Sequence, residues 1–217
     1  MNTNNIKQYR VGELSFRIVF KDTHNNESLI PSFQVFETEL SDETLIFTLY
    51  IDDSFRPETK GNEIGQFDCG GTNHGVYQLE NGDYQILISD VNNKQCSLLQ
   101  VRQDFSEGIV ALTGNGTMRN FGLNNTIMMM YAFSWVEQAT LLMHASVVRK
   151  DGKGYLCLGK SGTGKSTHTG LWLKHIEGAD LMNDDNPVVR FYSDRGAVVY
   201  GSPWSGKTPC YKNREAP

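Results

Sequence analysis

Cysteine, positive charge and long apolar runs are all in short supply here, and each scarcity excludes something. The four cysteines, Cys69, Cys96, Cys157 and Cys210, are widely spaced among 217 residues and include no C-x-x-C pair. Neither a disulfide framework nor a cysteine-rich zinc module is expected, and reduced thiols in a cytoplasmic protein are the default reading. The longest apolar-leaning run, Ile127 to Val136, falls far short of the roughly 20 residues of a membrane span. The opening Met1-Asn2-Thr3-Asn4-Asn5 lacks the basic-then-apolar pattern of a secretory signal. No membrane partner is expected. Twenty Lys and Arg against 25 Asp and Glu leave a formal charge of −5, which argues against nucleic acid as a partner. What remains, 39% hydrophobic and 21% charged residues, is the composition of an ordinary globular chain that can bury a substantial core.

To about Thr113 the sequence reads as short strands and turns. Leu14 to Phe20 alternates as a half-buried strand, and Leu45 to Ile51 is another, closed by Asp52-Asp53 and Pro57. Val76 to Leu79 and Tyr84 to Ile88 flank Asn81-Gly82, a hairpin signal because both turn residues tolerate positive φ. Cys96 to Val101 and Ile109 to Leu112 complete an expected meander. Cys69 and His74 are two ligands at most, too few for a zinc site, so their segment reads as a loop. Asp52-Asp53 reads as solvated surface. From Phe121 to Thr140 the pattern turns helical, with Asn120 or Asn124-Asn125 as caps and Ile127 to Phe133 apolar on most sides.

From Leu141 onward the rhythm is α/β. Gly159-Lys160-Ser161-Gly162-Thr163-Gly164-Lys165-Ser166 satisfies G-x-x-x-x-G-K-[ST] at every fixed position. A short strand, Gly154 to Leu158, precedes it, and a helix from Ser166 to Ile176, carrying Leu171, Trp172, Leu173 and Ile176, follows. Such a turn aims backbone N–H groups and the positive helix end at one anion. The nucleotide-binding set is Gly159, Ser161, Gly162, Thr163, Gly164, Lys165, Ser166 and Thr167. Lys165 supplies a point charge at the β/γ-phosphates, and the Ser166 hydroxyl is placed to reach Mg²⁺. ATP and Mg²⁺ are the expected cofactors. Hairpins around the loop, rather than alternating strands and helices, point to a mixed sheet.

Phosphoryl transfer also needs a metal-side carboxylate and a proton acceptor. Asp184-Asp185 follows an apolar stretch at a strand end, where one carboxylate can hold Mg²⁺ and the other can accept a hydroxyl proton. A polar strand-end turn is the plain alternative. Adjacent aspartates point to opposite strand faces, so a loop conformation is needed for both to contribute. His144 lies in the apolar strand Leu141 to Val148, where a histidine is as readily structural as functional.

Leu142-Met143-His144-Ala145-Ser146, the loop from Gly159 to Thr167, and Asn183-Asp184-Asp185-Asn186 together resemble the C-terminal catalytic domain of the HPr kinase/phosphorylase family. They also resemble the related ATP-dependent phosphoenolpyruvate carboxykinases. The resemblance covers roughly Leu141 to Tyr200. It implies a carboxykinase-like phosphate-loop core at 119–217; it does not cover residues 1 to 113, and the strand-and-turn pattern before the core adds a β-rich region of unassigned role at 1–118, for a mixed α+β fold. It implies a kinase transferring the γ-phosphoryl group of Mg-ATP to a hydroxyl, on a protein serine or a small molecule. Asp184 would be the catalytic proton acceptor, Asp185 with Ser166 the metal side, Lys165 the phosphate contact, and His144 a neighbour of metal or γ-phosphate. The two aspartate roles could be exchanged. A carboxykinase-like lyase and a nucleotide-binding regulatory protein without turnover are the alternatives, and homo-oligomerisation stays open. No match to the kinases' substrate-handling loop is found. The families' greater length implies further chain beyond Pro217.

Gly201-Ser202-Pro203-Trp204-Ser205-Gly206-Lys207-Thr208 satisfies the same pattern. Pro203 and Trp204 stiffen its interior, and Pro209 disfavours a helical start at Thr208. A second nucleotide loop is not expected there, although the segment could bring Lys207 near phosphate or substrate.

Overall fold

The alternating apolar stretches become strands where the pattern is strongest. The computed structural model describes residues 5–21, 24–41, 43–68, 73–134 and 139–217. Among these residues the chain is a mixed α+β protein, with sixteen strands in three sheets and two α-helices. No helix of the described residues is long and apolar enough to cross a membrane. Packing divides the chain into two units. The first holds the chain up to Gln8, Ser15–Pro31 and Thr38–Ser134; the second holds Tyr9–Leu14, Ser32–Glu37 and Trp135–Pro217.

Nine strands form one sheet: β1 (Ile6–Val11), β2 (Leu14–Phe20), β3 (Glu37–Thr38), β4 (Leu45–Ile51), β5 (Asn62–Asp68), β6 (Asn73–Gln78), β7 (Tyr84–Ser89), β8 (Gln95–Val101) and β9 (Glu107–Leu112). Their order is β3-β1-β2-β4-β9-β8-β7-β6-β5. The β5 to β9 run is the expected antiparallel meander, but β4 pairs parallel with both β2 and β9. Parallel neighbours need long crossovers, and here the whole β5–β8 meander is one of them. Helix α1 (Gly116–Phe133) starts earlier than expected: Asn115 accepts from the Met118 N–H at 3.1 Å. Asn124 and Asn125 lie inside the helix and bond back to the Asn120 and Phe121 carbonyls. Gly122, Leu123, Thr126, Ile127, Met129, Met130 and Tyr131 are buried and the helix is exposed only at its two ends, so it is largely covered, as its apolar character implies. Thr126 meets Ser97 of β8 at 3.2 Å. The helix thus belongs to the first unit rather than to the phosphate-loop region expected from residue 119. Phe16 stacks on Phe47 at 4.8 Å and meets the Tyr131 edge at 6.1 Å in the same core. Asp53 is not merely solvated; it pairs with Arg119 and accepts from the Leu112 N–H.

The second unit contains two small sheets. β10 (Thr140–Leu142), β14 (Val188–Tyr192), β15 (Gly196–Tyr200) and β16 (Glu215–Ala216) form one, in the order β10-β14-β15-β16. β12 (Lys153–Leu158), β11 (Ala145–Lys150) and β13 (Asp180–Asp185) form the other, in the order β12-β11-β13. Every pairing in both is antiparallel, so the mixed sheet expected around the phosphate loop is absent there and lies in the first unit instead. The single expected strand Leu141 to Val148 breaks at Met143-His144, sending β10 and β11 to different sheets. Helix α2 (Lys165–His175) crosses from β12 to β13 over β11. Its expected apolar face is not buried: Thr169 alone is, Leu171 and Leu173 are exposed, and Trp172 packs on Tyr155 at 4.9 Å. Val147, Met182, Val189, Val199 and Ala216 make this unit's core.

Candidate functional site

Register brings the three sequence motifs to one end of one sheet. Ala145, the first residue of β11, pairs on one side with Leu158, the last residue of β12, and on the other with Asp185, the last residue of β13. His144 immediately precedes Ala145, and the phosphate loop immediately follows Leu158. Because β12 and β13 both run antiparallel to β11, their C-terminal ends and the start of β11 share an edge.

The loop closes as its glycines allow. Gly162 and Gly164 adopt φ of 81° and 95°, values that L side chains rarely reach, with open space where a Cβ would stand. Gly164 is the N-cap of α2, no side chain caps the helix, and its first residues, Lys165 to Thr167, line the cleft. The cleft, of about 400 Å³, is lined by Ser161, Gly162, Gly164, Lys165, Ser166, Thr167, His144, Asp184, Asp185, Gly206 and Lys207. Of the expected set, Gly159 and Thr163 do not line it. Gly159 accepts from Lys165 Nζ at 2.9 Å, and Thr163 Oγ1 bonds the Lys160 carbonyl at 2.8 Å, so both shape the loop. A larger cleft, about 520 Å³, lies in the first unit, but its walls mix Arg56 and Lys60 with Glu58 and Glu80, so neither sign of charge prevails.

The two aspartates differ sharply. Asp184 is buried, and its Oδ1 accepts from Ser166 Oγ at 2.8 Å while Oδ2 accepts from the Thr208 N–H at 3.1 Å. Burial pushes its carboxyl up, but hydrogen bonds from Ser166, Ser146 and Thr208 outweigh that and hold it below the ordinary 3.8. Asp185 remains 38% exposed at its side chain, with Oδ1 3.3 Å from His144 Nε2. Its backbone φ of 148° is unusual for a residue with a side chain and redirects the end of β13. That twist is how adjacent strand residues come to line one cleft, in place of the expected loop. No family model matches the chain. Comparison with curated proteins and with solved structures also gives no significant match.

His144 is not a core histidine; its side chain is 51% exposed. Its Nε2 lies 3.0 Å from Lys165 Nζ and 3.3 Å from Asp185 Oδ1. One ring nitrogen can accept from the ammonium or, when protonated, donate to the carboxylate, but not both. Cys69 lies outside the described residues. His74 is buried, accepting from the Ser89 N–H.

One buried pair carries no obvious sequence signal. Ser146 and Thr169 form a buried hydroxyl pair at 3.1 Å beneath the cleft. The second loop-like match, Gly201 to Thr208, opens no helix and instead folds over Asp184: Gly206 N–H donates to the Asp184 carbonyl, and Ser205 Oγ lies 3.3 Å from the same oxygen. Lys207 lines the cleft, in keeping with the place near phosphate or substrate that the sequence left open to it.

The Mg²⁺ that the resemblance implies would draw on Asp184 and Ser166, both at the cleft. Among the described residues no three His, Cys, Asp or Glu side chains gather to hold a metal unaided. A magnesium ion shared with phosphates ordinarily takes only one or two carboxylates and keeps several waters. Asp184 and Ser166 supply that much.

Proposed function

We propose that this chain binds Mg-ATP at the cleft and transfers the γ-phosphoryl group to a hydroxyl, as an HPr-kinase-like phosphotransferase with a carboxykinase-like phosphate-loop core. The observation that carries the reading is the register of β11, which sets His144, the phosphate loop and Asp184-Asp185 on one sheet end. A loop motif alone would support nucleotide binding; the carboxylate pair beside it supports chemistry.

In this reading the loop N–H groups and Lys165 hold the phosphates. Ser166 and Asp184 hold Mg²⁺, which when bound offsets phosphate charge and orients the terminal group. Asp184 suits that role because its carboxylate is held ionised and is already bonded to Ser166. Asp185, exposed and beside His144, takes the acceptor's proton. This exchanges the two roles that the resemblance implies. A carboxylate held below its ordinary range is a weak base, and a buried one is poorly placed to meet an incoming hydroxyl.

Thermal melting tests the binding step. At a hundredfold excess over its Kd, Mg-ATP should stabilise the fold by about 2.7 kcal/mol, a rise of roughly 5–10 °C. Lys165→Ala should abolish the rise. An unchanged wild-type melt would remove the basis for the proposal. If wild type binds but γ-labelled ATP labels no protein or metabolite in a lysate, the reading without turnover is favoured.

A further inference from the structure

The cleft has a second cationic wall that the phosphate-loop motif does not account for. Lys207 lines it along with Lys165, and the residues on either side of Lys207 are both fastened to Asp184. Gly206 N–H donates to the Asp184 backbone carbonyl, and Thr208 N–H donates to its carboxylate at 3.1 Å. Ser205 braces the same turn, donating to the Thr208 carbonyl at 2.7 Å and accepting from the Cys210 N–H at 3.2 Å. The fit at Gly206 is tight. A Cβ there would stand 2.9 Å from the Asp184 carbonyl oxygen and 3.1 Å from Asp185 Cβ. The Lys207 backbone is therefore held beside the aspartate pair, while its side chain stays exposed at the cleft.

We propose that Lys207 grips the terminal phosphate and so makes this site select a nucleoside triphosphate over a diphosphate. The inference rests on reading the cleft as a Mg-ATP site. Lys165 is tied to the Gly159 and Lys160 carbonyls at 2.9 and 3.4 Å and to His144 Nε2 at 3.0 Å, so its ammonium is engaged between the loop and His144. The loop N–H groups and the start of α2 address the phosphates nearest the loop. In that reading the next phosphate outward lies on the aspartate side, where the Asp185 carboxylate is not offset by the Mg²⁺ assigned to Asp184 and Ser166. A flexible-stemmed ammonium on that wall supplies the opposing charge. A diphosphate ends one group short of it.

The test uses the full chain and direct binding, independent of any acceptor. Calorimetric titration with Mg-ADP and with a Mg-bound, non-hydrolysable ATP analogue gives the triphosphate-to-diphosphate affinity ratio. Lys207→Met should lower triphosphate affinity roughly tenfold or more, as expected for loss of a charge-assisted contact. Diphosphate affinity should stay unchanged, and Lys207→Arg should restore much of the preference. Since Lys207 is exposed, the ligand-free melts of the variants should match wild type. An unchanged ratio in Lys207→Met, or an equal loss for both nucleotides, would overturn the role of Lys207 while leaving the nucleotide site standing. Wild type that binds neither nucleotide would overturn the site itself.

Discussion

Asp184 and Asp185 are neighbours in sequence with opposite surroundings, and this contrast yields separable expectations. Asp184→Asn keeps an acceptor for the Ser166 hydroxyl but loses the charge, so the extra stabilisation that Mg²⁺ adds to ATP should disappear. Asp185→Asn should keep that stabilisation and lose phosphoryl transfer by roughly 10²–10⁴-fold, the range of general-base assistance. The reverse pattern would restore the roles implied by the resemblance. Asp184 also carries a pH signature. Its folded value lies below its unfolded one, so it contributes stability above the unfolded value, and this is lost as pH falls through the folded value. The stability gap between wild type and Asp184→Asn in denaturant melts should therefore be full near neutrality and narrow below about pH 4.

At the scale of elements, α2 depends on few contacts. Thr169 is its one buried residue, and its hydroxyl meets Ser146 of β11 as well as the Lys165 and Ser166 carbonyls. Thr169→Val should destabilise the protein by about 1–3 kcal/mol by stranding polar groups, whereas Thr169→Ser should retain most of the stability; denaturant unfolding distinguishes them. Much of the element layout was legible beforehand. Leu14 to Phe20 and Leu45 to Ile51 declared their own boundaries, because alternation matched a pleat with one face buried. The phosphate loop was legible because its glycines, lysine and hydroxyl have fixed spacing. The break at Met143-His144 was not, since an apolar run carries no mark of where a chain changes sheets. The parallel pairings of β4 were equally hidden, because partner choice depends on residues far away in sequence. Nor could the segment Gly201 to Thr208 show that it folds over Asp184; its contacts there are made largely by backbone groups.

At the scale of the whole molecule, the second unit is discontinuous. Tyr9–Leu14 and Ser32–Glu37 belong to it along with the C-terminal stretch. Glu13 accepts from Tyr192 at 2.6 Å and from Arg195 at 2.8 Å, and Arg190 reaches it at 3.2 Å. Burial raises the Glu13 carboxyl, but these donors outweigh it and lower the group below its usual range. Phe33 sets its ring edge against Trp204 at 5.7 Å. A fragment restricted to residues 135–217 would lose all of these contacts. It should melt below the corresponding transition of the full chain; equal melting would show that the N-terminal segments contribute nothing to it.

The twist at Asp185 has a further meaning. A chain shaped only for durability would place glycine at 185, where the backbone would rest without steric objection. Keeping an acidic side chain on that awkward hinge means tolerating a local penalty of order 1–3 kcal/mol, and the carboxylate's position at the cleft is what is obtained in exchange.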